Sequence, residues 1–443
     1  LPPVNNSRLN TRGKLTHWIV PHSHLDPSWW LEIEDNYRRY IAKILSGMES
    51  HLTRDDIEFT RPKFLISEVY FARRHIKGHP ASRDVFQRLV REGKIEVVNG
   101  AYAMHDTGTS YYEDILNIYT YGRKFSIDNL LSNPRQGWMI DVFGISATTY
   151  RLLAEMGYET LIAYRIPVYH TRELSNHNSM QFMWKHPSRP ELKIFGHMLT
   201  RSYVPSDPFD LDGCNGVDRS RSPITNILQQ SFNLDAKIEE LVYNLKRISR
   251  GYPTNQNLFS YGADYSFTDF ALSYSLIDSI VIYTKCNGLT GRFHDKVEFR
   301  VSTLSEYYDA VQKTLSENVI KESGDLNNTS SSNTQRASSS SSNSGSTSKP
   351  QEKSKLPKYG PNGLTLVESD FQPHVENTTL AGGHWEGTWS GIFVSKPYLK
   401  KVIKSYGEAI RGLANINGLL SLKVSNKSYS SDKFDNEDES AAL

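Results

Sequence analysis

The sequence predicts an α/β fold, a barrel of βα units around a mainly parallel sheet. Three observations predict it. Short apolar runs alternate with amphipathic stretches from Trp18 to about Thr303. The stretches between them carry apolar side chains at helical rather than strand spacing. Two of the runs end in a carboxylate with a glycine two or three residues away, and α/β barrels collect their catalytic groups at such strand ends.

The expected strands, in order, are Trp18 to Val20, Phe64 to Ile66, Ile95 to Val98, Trp138 to Ile140, Leu161 to Ala163, Leu192 to Phe195 and Leu258 to Tyr261. Val85, Leu89 and Val90 before Gly93 mark one core-facing helix, and Ile238, Leu241, Val242 and Leu245 another. Thr303-Leu304-Ser305-Glu306 has capping-box spacing and opens a helix carrying Tyr307, Ala310 and Val311. From Glu322 to Ser348 Ser and Asn dominate, with too few apolar side chains to offset the entropy of ordering them, so a disordered insertion is expected. Pro397 then starts a helix with Tyr398, Val402, Tyr406, Ile410 and Leu413 on one face, which reads as the first helix of a bundle. The tail from Ser425 is polar and acidic and offers that helix no partner.

At 443 residues the chain suits a large barrel plus an accessory domain. Its formal charge of +2 gives no broad attraction for nucleic acid or anionic lipid, and a neutral substrate fits well. Aromatics, at 11%, suit sugar faces as well as ordinary packing. Cys214 and Cys286 leave room for one bridge or two thiols and exclude a Cys-rich metal cage. Leu1-Pro2-Pro3 without Met, and without a secretory apolar segment, points to a trimmed N-terminus, and no run of about 18 apolar residues marks a membrane span. Sequons at Asn5, Asn327, Asn328, Asn377 and Asn426 are usable in a secretory lumen.

Three motifs carry chemistry. In Pro21-His22-Ser23-His24-Leu25-Asp26-Pro27-Ser28-Trp29-Trp30, side chains two apart share a face of an extended segment, so His24 and Asp26 can meet one divalent ion. His22 is a third ligand or a partner of the ligands, and Trp29 can stack on a sugar; the blander reading is a polar loop anchored by Trp29. In Gly137-Trp138-Met139-Ile140-Asp141-Val142-Phe143-Gly144 a strand delivers Asp141, either to a site or as the N-cap of the next helix. In Leu258-Phe259-Ser260-Tyr261-Gly262-Ala263-Asp264-Tyr265 a strand delivers Asp264, for which a turn aspartate is the alternative. Two such carboxylates fit glycosidic nucleophile and acid/base work.

Taken together, His24, Asp26, Asp141 and Asp264 resemble, in order and context, the site motifs of glycoside hydrolase family 38 α-mannosidases. The resemblance extends over Phe64-Leu65-Ile66-Ser67-Glu68, Glu92-Gly93-Lys94-Ile95-Glu96 with Asn99-Gly100, Tyr164-Arg165, and Trp389-Ser390-Gly391 with Ser395-Lys396-Pro397. It implies an incomplete seven-stranded (β/α) barrel followed by the start of a helical bundle. The implied division is a catalytic barrel over 1–312, the insertion over 313–363, the end of the catalytic region with the first bundle helix over 364–424, and a polar tail over 425–443. It also implies zinc held by His24, Asp26 and Asp141, with Asp141 as nucleophile and Asp264 as acid/base. Trp29, Phe143, Arg165, Tyr203 and Trp389 are the implied pocket residues. The family's fourth zinc ligand is a histidine well downstream of the Trp389 segment, and no His follows His384 here. Leu25, Ser28, Val142 and Ile145 depart from the usual polar residue, Gly, Pro and His, which bears on pocket shape. His22-Ser23-His24 with Pro27, and the Trp389 segment, are closer to the Golgi type, whereas the small Ala263 points to the lysosomal type.

The expected function is retaining hydrolysis of terminal α-linked mannose from an oligosaccharide or glycoprotein glycan in the secretory lumen, Golgi or lysosomal, with the two carboxyls roughly 5 to 5.5 Å apart. The alternatives are a metal-dependent carbohydrate deacetylase, in which an Asp serves as base toward metal-bound water, and a non-catalytic mannose-binding relative.

Overall fold

The computed structural model describes residues 14–54, 61–200, 202–205, 231–286, 297–329, 364–380 and 383–424. Twelve strands are found among them: β1 (Leu15–Pro21), β2 (Phe64–Ile66), β3 (Ile95–Val97), β4 (Gln136–Met139), β5 (Thr160–Ala163), β6 (Gln181–Lys185), β7 (Lys193–Met198), β8 (Gln256–Tyr261), β9 (Val297–Val301), β10 (Leu366–Val367), β11 (Val375–Leu380) and β12 (Gly383–Thr388). They form one sheet ordered β8-β1-β9, one ordered β10-β6-β7-β5-β4, and the pairs β2-β3 and β11-β12. Pairing is parallel except between β6 and β7 and within the β11-β12 hairpin. The fold is thus a mixed α/β arrangement of parallel sheets and helices. Parallel strands are covered on both faces, which is why β2, β4 and β5 are buried at every position and read as unbroken runs.

All seven expected strands are present, with ends moved by a few residues. β6, β9, β10, β11 and β12 were not anticipated. β6 and β9 alternate in burial, with Phe182 and Trp184 inside in β6 and Val297 and Phe299 inside in β9, a period-two signal that continuous-run reading passes over.

The helices follow their apolar spacing. Ser82–Arg91 buries Phe86 and Leu89, and Ser231–Ser249 buries Ile238, Leu241, Val242 and Leu245. The capping box forms: Thr303 N–H donates to Glu306 Oε2 at 3.0 Å and Glu306 N–H to Thr303 Oγ1 at 3.3 Å. The helix it opens, Leu304–Thr329, runs past the expected barrel end, so 313–329 are helical rather than disordered. Residues 330–363, Cys214 and the tail from 425 lie outside the described residues. No helix among the described residues is long and apolar enough to cross a membrane.

Two core histidines matter later. His17 in β1 stacks on Phe299 with ring centres 5.4 Å apart, and His197 in β7 stacks on Tyr252 at 4.9 Å. Burial pushes each down to about 3, so both are neutral.

The helix Pro397–Val424 turns charge inward. Arg411 reaches Glu113 at 2.6 Å and Asp114 at 2.9 Å, both on the helix Tyr112–Leu130. Its apolar residues Tyr398, Ile403, Tyr406, Ile410 and Leu413 face outward, Tyr398 being 79% exposed.

Candidate metal and active site

The site begins where β1 and β8 end. Their ladder continues past the strands, with His22 N–H donating to Tyr261 O at 3.0 Å, His24 N–H to Ala263 O at 3.1 Å and Tyr265 N–H to His24 O at 3.0 Å. His24 and Asp264 therefore sit side by side as a parallel bridge. Gly262 permits this approach, since a β-carbon there would lie 1.9 Å from the His22 carbonyl oxygen.

β4 delivers Asp141 to the same point. His24 Nε2 lies 3.3 Å from Asp26 Oδ1 and 3.3 Å from Asp141 Oδ2. Donor atoms of His24, Asp26 and Asp141 all fall within 4.8 Å of one another. Yet His24 Nε2 is buried without an aligned hydrogen bond, an orphaned nitrogen facing two carboxylates. Ligands of a tetrahedral ion with bonds of about 2.0 to 2.1 Å stand about 3.3 to 3.4 Å apart, which matches both spacings. The donor set fits a divalent cation bound through one nitrogen and carboxylate oxygens.

Arg165, beyond β5, donates from Nε to Asp141 Oδ1 at 2.6 Å. Its guanidinium lies 5.3 Å from the Phe143 ring centre and 5.1 Å from that of Trp389, and those two rings are 4.9 Å apart. On the other side Tyr203 donates its hydroxyl to Asp264 Oδ1 at 2.7 Å. Burial pushes the Asp141 carboxyl up, but the contact and charge of His24, with Arg165 behind them, outweigh it and hold it below the usual range. Burial also raises Asp264, and there it wins: the charge of His24 and the Tyr203 hydrogen bond only reduce the rise, to which Asp141 and Asp26 add. Burial opposes a charge on His24 as well, but Asp141 and Asp26 carry its pKa well above the usual histidine value.

The structure brings His24, Asp26, Asp141, Asp264, Arg165, Tyr203, Phe143 and Trp389 to this one end of the strands. Trp29 is not among the side chains in contact there; it is 57% exposed and edge-on to Trp30, with ring centres 5.1 Å apart. Asp141 is not a helix cap, because Ser146 caps the following helix Ala147–Glu155 by accepting from Thr149 N–H. His22 stands outside the three-donor group: its Nε2 lies 2.7 Å from Ser260 Oγ, which donates to Tyr203 O at 3.0 Å. Burial lowers His22 to about 3, so it supports the Tyr203 backbone as a neutral ring.

Residue-level reading gave no role to Glu68. It follows the apolar run of β2 as Asp141 follows that of β4, a shared signal that was available. Glu68 is buried, pushed up to about 7 by that burial, with Oε1 4.0 Å from His24 Nδ1 and Oε2 accepting from Ser67 Oγ at 2.5 Å. His374 is buried beside Trp389, with Nδ1 3.2 Å from Ile166 O, and is not one of the three grouped donors. A cleft of about 1030 Å³ lies at the opposite ends of β1 and β8, lined by Thr16, Trp18, Gln256 and others. It is larger in volume than it is rich in chemistry, since its lining includes no histidine among mixed charges.

Residues 14–329 match the model of the glycosyl hydrolases family 38 N-terminal domain. The chain is 27% identical over 319 residues to a lysosomal alpha-mannosidase of Dictyostelium discoideum, covering 70% of this chain and 30% of that protein. It is 25% identical over 427 residues to an alpha-mannosidase 2 of Arabidopsis thaliana, covering 90% and 32%. The crystal structure of an alpha-mannosidase from Enterococcus faecalis V583 is similar in fold, with a TM-score of 0.50 at 19% identity over 68% of this chain and 29% of that one. The chain thus spans about a third of the length of these relatives.

Proposed function

Because the chain belongs to glycosyl hydrolase family 38, we propose that it carries the catalytic, N-terminal part of a zinc-dependent retaining α-mannosidase. Its substrate class is terminal α-linked mannose on oligosaccharide or glycoprotein glycans. One observation carries the reading: Asp141 and Asp264 share His24 as a neighbour, yet one is held below and the other above the usual carboxylate range. A retaining glycosidase needs that division between an ionised nucleophile and a protonated acid.

His24, Asp26 and Asp141 would hold the ion, which when bound supplies Lewis acidity toward sugar hydroxyls. Asp141 attacks the anomeric carbon as Asp264 gives its proton to the departing oxygen. In the second step Asp264 takes a proton from the attacking water, and the glycosyl bond to Asp141 breaks with the starting configuration restored. Arg165 keeps Asp141 charged and oriented, while Tyr203 fixes the Asp264 carboxyl. Phe143 and Trp389 offer aromatic walls beside the reacting centre, and Trp29 a face at the rim.

The sheets are read as segments of one incomplete seven-stranded barrel. The bond from Asn99 N–H to Gln136 O, 2.7 Å, supports continuity between the ends of β3 and β4. The 364–424 segment is assigned to the same catalytic region up to its terminal helix, since Trp389 joins the Arg165 stack. A lumen of the secretory pathway, Golgi or lysosomal, is the proposed location, in keeping with the lysosomal relative.

Hydrolysis of a chromogenic α-mannoside, with and without chelator, tests the reading, and proton NMR of the first product tests retention. Mannose release that stops on chelation and returns with zinc is expected. Acetate release from an acetylated sugar would favour a deacetylase, and mannose binding without turnover a non-catalytic relative.

A further inference from the structure

His24 and Asp26 flank Leu25 just where the β1 ladder runs out. Among the described residues, Asp26 takes part in no backbone–backbone hydrogen bond. Its peptide is held instead by Tyr265, whose hydroxyl donates to Asp26 O at 3.0 Å. The main-chain N–H of the same tyrosine donates to His24 O at 3.0 Å. One residue therefore grips both sides of Leu25, by its amide and by the far end of its side chain.

That grip requires an unusual backbone. Tyr265 has φ of +50°, a left-handed conformation uncommon for an aromatic residue. Such conformations persist where the surroundings over-determine them, and they cluster at functional sites. The ring is fixed as well, packing on Tyr40 with centres 5.4 Å apart. Tyr40 belongs to a π-helical turn, Tyr37–Ile41, inserted between Ile33–Asn36 and Ala42–Leu52. Turns of that kind are themselves frequent at functional sites.

We propose that Tyr265 is a positioning residue that presets the spacing of the His24 and Asp26 donors for a divalent cation. The inference rests on the reading that these two, with Asp141, hold the metal. Without the hydroxyl, the Asp26 peptide is free to turn, and ordering it on binding costs affinity. Losing an outer partner of a metal ligand typically costs about 10- to 100-fold in affinity, and a single carbonyl tether belongs near the lower end, about tenfold.

The test is calorimetric titration of the metal-stripped protein with zinc, comparing wild type, Tyr265→Phe and a control, Tyr243→Phe. Tyr243 is 67% exposed on Ser231–Ser249, far in character from any ligand contact. Tyr265→Phe is expected to bind about tenfold more weakly, with the control unchanged and the melting of metal-free Tyr265→Phe close to wild type. Cobalt(II) in place of zinc should give Tyr265→Phe an altered visible spectrum, which a merely structural role would not produce. Tyr40→Leu, which loosens the ring but keeps the hydroxyl, should weaken binding less. Equal zinc affinity and identical cobalt spectra in wild type, Tyr265→Phe and Tyr40→Leu would overturn the assignment while leaving the metal site intact. If wild type itself bound no divalent cation, the metal reading would fall first and this inference with it.

Discussion

Asp141 and Asp264 are the same residue at the ends of two strands, both part-buried, both near His24, and they differ in what stands on their far side. Behind Asp141 is the guanidinium of Arg165, a full charge at 2.6 Å. Behind Asp264 is the hydroxyl of Tyr203, a neutral donor at 2.7 Å. At Asp141 the contact and charge of His24, reinforced by the Arg165 cation, outweigh desolvation, whereas at Asp264 the charge of His24 and the Tyr203 hydroxyl do not, so one carboxyl is held down and the other is left raised. The contrast between the two aspartates is thus set first by how closely each meets His24, and then by the neighbour on its far side.

The comparison can be broken at its centre by Asp141→Ala. Loss of the proposed nucleophile should reduce turnover of an aryl mannoside on the order of 10⁴-fold or more, and a fluoro-sugar should label the wild type at Asp141. Finding the label on another carboxylate would reverse the assignment. Asp264→Ala should cost about 10²- to 10³-fold on substrates with poor leaving groups and much less on activated aryl mannosides. Azide should rescue part of the second step; equal loss on both substrate types without rescue would move the role elsewhere.

Two milder changes sharpen the contrast. Arg165→Met removes one of the charges that keep Asp141 ionised, so the acidic limb of the kcat/KM profile should move to higher pH by about one unit. An unmoved limb would mean that His24 alone sets the Asp141 charge. Tyr203→Phe removes a donor that favours the Asp264 anion, so Asp264 should hold its proton to higher pH. The basic limb should then rise by up to about one unit, the smallest effect of the four. A basic limb moving downward would show that the hydroxyl instead supports the protonated form.

Much of this was legible in the sequence. Apolar runs reported the buried parallel strands, and carboxylates just beyond two of them marked Asp141 and Asp264. The Thr303 to Glu306 spacing foretold a helix start that forms as expected. What periodicity could not supply was pairing across distance: β1 meets β8 more than two hundred residues later, and only that pairing sets His24 beside Asp264. The same distance hid the Tyr265 hydroxyl on Asp26 and the Ser260 link that takes His22 away from the donor group. Glu68 escaped for a different reason, since its strand-end position was visible but its burial was not.

The neutral histidines of the core carry a consequence for how the protein meets acid. His17, His22 and His197 are each pushed to about 3, whereas in an unfolded chain each takes up a proton near 6.5. A lowered folded-state value leaves stability intact above 6.5 and drains it as the pH falls toward 3. Taken by themselves, the three protons these histidines bind on unfolding contribute a slope of roughly 4 kcal/mol per pH unit in the middle of that window. Acidification should therefore act on this fold as an abrupt proton trap, opened by unfolding and then held open. Replacing His17 by Phe, which keeps the ring against Phe299 and removes one trap, should shift the acid-unfolding midpoint to lower pH.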